Sequence, residues 1–176
     1  MDLDTITTEL QNLRFNKSNG RRRGLGRTVS ERVEKPRYYF ISGKIRNYKG
    51  VAPDNKKVVQ TSCASYYPKN QRVIELAKGL MLHHDPNFKY TSIQFAKNMK
   101  TDKHKDKNNV GESYIIALGD FRGGDLRVYQ DEENYVDMKI HNQFLKFNGN
   151  QWYHETGEWS GGDRYTLTYF TIKPYD

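Results

Sequence analysis

YTSIQFAKNMKTDKHKDKNNVGESYIIALGDF, residues 90–121, is the stretch on which the reading of the fold turns. Its flanks, YTSIQFAKNM (90–99) and SYIIALGDF (113–121), carry aromatic and β-branched residues over strand lengths, and the segment between them is polar. In that polar segment His104 and Asp106 stand two positions apart. Extended backbone turns residues i and i+2 to the same side, so an imidazole and a carboxylate at this spacing converge on one ion. Alone, a His-x-Asp carries little weight, because a segment this rich in Lys and Asn reads equally well as a solvated loop.

Downstream, LRVY (126–129), YVDMKIH (135–141), QFLKFN (143–148), WYH (152–154) and RYTLTYFTI (164–172) are short strand-like runs separated by Gly, Asn and Asp. Closely spaced strands with tight turns indicate a sandwich or a barrel. Upstream, QRVIELAKGLMLHH (71–84) sets Val73, Ile74, Leu76, Ala77, Leu80 and Met81 on one helical stripe, which predicts a helix packed on the outside of a sheet. His83 and His84 at its end read as helix-terminal decoration. VVQTSCASYY (58–67) reads as a strand, residues 48–57 as a loop, and RYYFISGKIRNY (37–48) as the first strand of the folded body. The expected class is all-β to α+β.

Leu3, Ile6, Leu10 and Leu13 recur at helical spacing, and residues 16–35 then become Gly- and Arg-rich with few apolar positions, including Arg21, Arg22, Arg23 and Arg27. The expected division is a basic, largely flexible arm over 1–35, dispensable for folding, and one domain over 36–176. A solvated linker and a polyanion-binding arm are equal readings of 16–35. The chain carries a net charge of +8, with 8 Lys/Arg against 5 Asp/Glu in residues 1–35 and 21 against 16 thereafter, so the body is basic as well. That balance favours a polyanionic partner without identifying one. Cys63 is the single cysteine, and no apolar run approaches the roughly 18 residues that cross a bilayer. An intracellular protein, cytoplasmic or nuclear, monomeric and without a membrane partner, is the expectation.

His154 lies 48 residues beyond Asp106, and Arg164 ten beyond His154. Two His and one carboxylate on one face of a metal form the facial triad of non-haem ferrous sites, which leaves coordination positions open. An Arg deeper in the same pocket suits a carboxylate, which its planar fork grips with two parallel hydrogen bonds. Singly, His154 also reads as a buried structural histidine and Arg164 as the start of an exposed strand. The order His-x-Asp, distal His, then Arg is the more specific observation.

At His104, Asp106, His154 and Arg164 the sequence resembles the Fe(II)/2-oxoglutarate-dependent dioxygenase superfamily over residues 90–172. DKNNVGESYIIALGDFRGGDLRVY (106–129) is similar to the strand pair after the first two ligands, where a Gly-Gly element turns the chain beside the metal. FNGNQWYHETGEWSGGDRYTLTYFTI (147–172) is similar to the distal half, with a Gly-rich turn from Gly157 to Gly162. The resemblance implies a double-stranded β-helix, a jelly-roll or cupin-like core with a packed helix. It further implies iron held by His104, Asp106 and His154, 2-oxoglutarate held by Arg164, and O2 as oxidant. Asn98 and Tyr165, with Gln94 and Thr168, are expected as further contacts to the co-substrate.

DKNN after the ligands and the compact size look most like the nucleic-acid-modifying branch, which includes the ten-eleven-translocation methylcytosine dioxygenases, the base-J thymine hydroxylases and small viral relatives. The expectation is hydroxylation of a methylated base, a 5-methylpyrimidine, in DNA or RNA. Tyr66, Tyr67, Trp152 and Trp159 are candidates to stack an extruded base. A prolyl-type protein hydroxylase acting on a peptide shares the metal motif, and a non-enzymatic binding module on the same fold stays open.

Overall fold

The computed structural model describes residues 2–18, 37–48 and 57–174. The chain opens with α1 (Leu3–Asn12), whose N-terminus is capped by Asp2. Its carboxylate accepts from the Asp4 N–H at 2.9 Å and the Thr5 hydroxyl at 2.7 Å. Strands β1 (Lys17–Ser18), β2 (Arg37–Tyr48) and β3 (Lys57–Thr61) follow, then two 3₁₀ turns (Cys63–Tyr66 and Pro68–Asn70) and α2 (Gln71–His84). The rest is strand: β4 (Ser92–Lys97), β5 (Ser113–Leu118), β6 (Phe121–Gly123), β7 (Leu126–Tyr129), β8 (Tyr135–Met138), β9 (Leu145–Phe147), β10 (His154–Thr156), β11 (Trp159–Gly161) and β12 (Tyr165–Phe170).

A seven-stranded sheet runs β1-β2-β4-β12-β5-β9, with β3 also paired to β2. Facing it are β10-β7-β8 and the β11-β6 ribbon. Every named pairing is antiparallel, the two layers have sheet order rather than sequence order, and the result is the double-stranded β-helix expected from the resemblance.

The period-two pattern of β12 separates two interiors. Tyr165, Leu167 and Tyr169 point outward into a core shared with the helices, which buries Ile6, Leu10, Val73, Ile74, Ala77, Leu80 and Met81. The Tyr169 hydroxyl donates to the Ala77 carbonyl at 2.6 Å and ties that strand to α2. Arg164, Thr166, Thr168 and Phe170 point the other way, into a cavity between the layers. A smaller cluster of Ile115, Ala117, Phe121, Leu126 and Ile140 packs inside the β-helix.

Four expectations change. Residues 2–18 are not an arm: Ile6, Leu10 and Phe15 are buried in the outer core, and the Phe15 ring lies tilted against Phe40 and Tyr165, with centroids 5.7 and 6.0 Å away. An amphipathic helix too short to persist alone is ordered here by that apolar face. The arm expected over 19–35, and most of the loop expected over 48–57, lie outside the described residues. The strand expected over 58–67 ends at Thr61, where Ser62 N–H donates to the Gly43 carbonyl and the chain turns. The strand expected over 152–154 is instead β10, shifted to begin at His154, and the Gly-rich turn contains a strand of its own, β11. Among the described residues no helix is long and apolar enough to cross a membrane.

Candidate metal centre

Residues 101–106 run antiparallel to 149–156 without forming a regular strand. Thr101 and Thr156 pair through Thr156 N–H to Thr101 O at 3.1 Å and through their side chains. His104 and His154 exchange both backbone hydrogen bonds at 3.0 Å, and Asp106 N–H donates to Gly149 O at 2.8 Å. Directly opposed residues of an antiparallel pair share a face, so the two imidazoles lie side by side with centroids 4.4 Å apart. Asp106, two residues from His104, turns to that face as the i, i+2 spacing requires.

The carboxylate of Asp106 sits between the rings, Oδ1 3.2 Å from His104 Nε2 and Oδ2 3.3 Å from His154 Nε2. One ligand atom from each residue lies within 4.8 Å of the others. His104 Nδ1 is 2.6 Å from the Asp102 carbonyl and His154 Nδ1 is 2.9 Å from the Trp152 carbonyl. A carbonyl only accepts, so both Nδ1 atoms carry hydrogen and both Nε2 lone pairs are turned toward the shared point when the rings are neutral. Burial alone would raise the Asp106 pKa, but protonation of either ring turns its Nε2 into a donor to the carboxylate, and those hydrogen bonds from His104 and His154 outweigh burial and hold the carboxyl well below the usual carboxylate range. For His154, burial works to lower the pKa and the Asp106 carboxylate reverses the direction. Two imidazole nitrogens and one carboxylate oxygen, oriented from behind by backbone carbonyls, fit a ferrous ion of the facial-triad type.

Arg164 stands at the other end of the same cavity, a space of about 1140 Å³ that His104, Asp106 and His154 also line. It is only 3% exposed. One Nη donates to the Gly124 carbonyl at 2.8 Å, while Nε is buried without a partner. The guanidinium lies 5.3 Å from the Trp159 ring and 5.8 Å from that of Phe121, and makes no ion pair with a described residue. Its pKa is pushed down to about 10 by desolvation, which Asp125 offsets only in part. A buried cation without a counter-ion is costly, and an incoming carboxylate removes that cost. The chemistry of 2-oxoglutarate therefore fits both ends: a 2-oxo acid group for the metal and a distal carboxylate for Arg164.

Gln94 and Thr168 line the cavity as expected, and Thr166 joins them. Tyr165 and Asn98 are corrected. Tyr165 is 1% exposed on the helix side of the sheet, because an odd step along β12 reverses its face. Asn98 does not reach the cavity: its Oδ1 accepts from the Arg164 N–H and its Nδ2 donates to Asp163 Oδ1, both at 2.7 Å. The Gly-Gly element is also displaced from its expected place beside the metal. Gly124, at φ +69, instead lies where a Cβ would stand 2.7 Å from Arg164 Nε.

Gly149 was not anticipated, and a Cβ there would collide with Asp106 Oδ2 and press on His154 Cε1. A Gly between two Asn reads as an ordinary turn. Only the pairing of 149 with 106 reveals its second role.

No family model matches the chain, and no curated protein matches it in sequence. Solved structures do. NgTET1 in complex with 5mC DNA aligns at 15% identity and TM-score 0.59, covering 98% of this chain and 68% of that one. An oxidoreductase of the 2OG-Fe(II) oxygenase family from Burkholderia pseudomallei aligns at 14% identity and TM-score 0.58, covering 97% and 78%. A prolyl-4-hydroxylase from Pseudomonas putida aligns at 14% identity and TM-score 0.50, covering 98% and 88%. The chain has the double-stranded β-helix fold of these Fe(II)/2-oxoglutarate oxygenases, with His104, Asp106 and His154 gathered around one point inside it.

Proposed function

We propose that the protein is an Fe(II)- and 2-oxoglutarate-dependent dioxygenase that hydroxylates a methylated base, a 5-methylpyrimidine, in DNA or RNA. The observation that carries the oxygenase reading is the pairing, in one cavity, of a His-Asp-His cluster with a buried guanidinium that makes no ion pair with a described residue. When bound, ferrous iron couples decarboxylation of the 2-oxo acid by O2 to insertion of one oxygen atom into a substrate C–H bond. His104, Asp106 and His154 would hold the ion as a facial set of three protein ligands. Arg164 fixes the distal carboxylate, and Thr166, Thr168 and Gln94 offer hydrogen-bonding groups along the way. Ile115, Leu126 and Phe147 give the same space an apolar wall.

Charge supports the substrate class. Arg14, Lys17, Arg37, Arg46, Lys69, Lys105 and Lys107 line the cavity, and among the described residues the one lining carboxylate is the metal ligand Asp106. A mouth of one sign draws a polyanion toward the metal. NgTET1, the structural neighbour solved with 5mC DNA, is consistent with this reading.

The test is mass spectrometry of a pool of methylated and unmethylated oligonucleotides, together with proline-containing peptides, after incubation with protein, Fe(II), 2-oxoglutarate and O2. A gain of one oxygen on the methylated pyrimidine, with matching succinate, is expected. Oxygen gained by a peptide alone would replace the substrate assignment, and absence of succinate under every condition would remove the enzyme.

A further inference from the structure

Lysines alternate with the metal ligands in KHKDK (103–107), so the segment that turns His104 and Asp106 to the metal carries Lys103, Lys105 and Lys107 with it. Lys103 and Lys107 are exposed, Lys105 is half-buried, and none of the three makes an ion pair with a described residue. Two of them stand over aromatic rings instead: Lys103 Nζ is 3.9 Å from the Tyr129 ring centre, and Lys105 Nζ is 4.6 Å from that of Tyr153. Tyr153 lines the cavity and is 46% exposed. The same composition recurs elsewhere on the lining. There Tyr67, also 46% exposed, accompanies Lys69 and Arg14, and Lys69 Nζ donates to the Arg14 carbonyl at 2.9 Å.

Lys103, which also donates to the Glu132 carbonyl at 3.0 Å, and Lys105 stand over rings at one place, and an exposed ring shares the cavity lining with Lys69 and Arg14 at another; together they have a specific meaning. Phosphate alone would be served by the cations, and an apolar ligand by the rings. A strand with unstacked bases uses both, because each base offers a face to a ring while each phosphate meets a cation. A paired duplex hides those faces. Resting on the nucleic-acid reading above, we infer that the cavity mouth is a single-strand clamp. Tyr153 with Lys103 and Lys105 holds one side of the target nucleotide and Tyr67 with Lys69 holds the other, so that the target base enters the cavity between them. The preferred substrate is a single-stranded or locally unpaired polynucleotide.

Fluorescence anisotropy with the full chain tests this, using a labelled pyrimidine-rich single strand, the same sequence as duplex, and heparin as a polyanion without bases. The single strand is expected to bind at least about tenfold tighter than duplex, the scale of one base–ring stack. Tyr153→Ala and Tyr67→Ala are each expected to weaken it about tenfold, with Tyr153→Phe retaining affinity because the ring remains. Lys103→Ala with Lys105→Ala is expected to shallow the plot of log K against log salt by about 0.7 per phosphate lost. Far-ultraviolet circular dichroism of each variant checks that the fold is intact. Equal affinity for single strand, duplex and heparin, or a Tyr153→Ala protein that binds like wild type, would overturn the clamp while methylated-base oxidation by wild type still stood. Wild type that oxidises only peptides would overturn the substrate reading and the clamp together.

Discussion

The two ends of the cavity solve opposite electrostatic problems. At the metal end the Asp106 carboxylate lies between two imidazoles, each held from behind by a backbone carbonyl, and its charge has partners at 3.2 and 3.3 Å. At the far end the Arg164 guanidinium is more deeply buried and has a carbonyl and two ring faces where no described residue supplies an anion. One end is preorganised around a cation to come, the other around an anion to come. The difference shows that each end is incomplete in the sense its ligand would correct, and that the two can be broken separately.

The largest expected effect is at the metal end. His154→Ala or His104→Ala leaves two protein ligands. Because loss of an outer partner alone costs about 10–100-fold in metal affinity, loss of a ligand should exceed that. Calorimetric titration with Fe(II) or Co(II), with succinate formation in parallel, reads it. Binding and turnover at wild-type levels in either variant would show that the triad is not the site.

Arg164→Met should act in two directions. Affinity for 2-oxoglutarate should fall by about 2–5 kcal/mol, since a charge-assisted bidentate contact is lost. Melting without co-substrate should be unchanged or later, because an apolar side chain of similar length replaces a buried cation that makes no ion pair with a described residue. Metal affinity should hold. A lower melting temperature without co-substrate would mean that Arg164 is already compensated, and the contrast between the two ends would fail.

Two further changes sharpen the comparison. Leu10→Ala touches neither end but opens the outer core, and should cost about 2–5 kcal/mol of unfolding free energy in a urea titration. A variant with unaltered stability would return residues 2–18 to the status of an arm. Gly149→Ala inserts a methyl against Asp106 Oδ2 and His154 Cε1, and should lower metal affinity by about 10–100-fold, the scale of an outer-sphere disturbance. It leaves Arg164 untouched, so unchanged affinity for the metal would show that the ligand loop relaxes freely.

Much of this was legible in the residues. The gathering of His104, Asp106 and His154 and the place of Arg164 on the same cavity were readable because type, order and spacing combine into one pattern, and most strands because β-branched and aromatic runs end at Gly, Asn and Asp. The face of Tyr165 was not readable beside Arg164 without knowing which face of β12 turns inward, since both faces of that strand are buried and the alternation of polarity is weak. The docking of α1 was hidden for another reason. Its three apolar residues, Leu3, Ile6 and Leu10, suffice only because α2, far along the chain, presents a matching stripe. Gly149 and Gly124 are legible as turns, but what their missing Cβ leaves room for depends on contacts made across the fold.

The smallest expected effect sits at Asn98 and concerns how the anion end is held. Asn98 adopts φ +51, a conformation that few residues other than Gly and Asn take easily. In that conformation its own N–H donates to the Arg164 carbonyl at 2.7 Å while its side-chain oxygen accepts from the Arg164 N–H, also at 2.7 Å. The backbone of Arg164 is thus gripped on both polar groups where β12 begins, and the guanidinium inherits its direction from that grip. Asn98→Ala leaves the Arg164 N–H without its partner and adds left-handed strain, so about 1–3 kcal/mol of stability should be lost. Asn98→Gly removes the same oxygen without the strain and isolates the hydrogen bond. If the grip orients Arg164, both variants raise the KM for 2-oxoglutarate several-fold with metal affinity unchanged, and Asn98→Asp, which keeps an acceptor oxygen, recovers most of it. Should Asn98→Gly bind 2-oxoglutarate as wild type does, the direction of the guanidinium is set by Gly124, Phe121 and Trp159 alone.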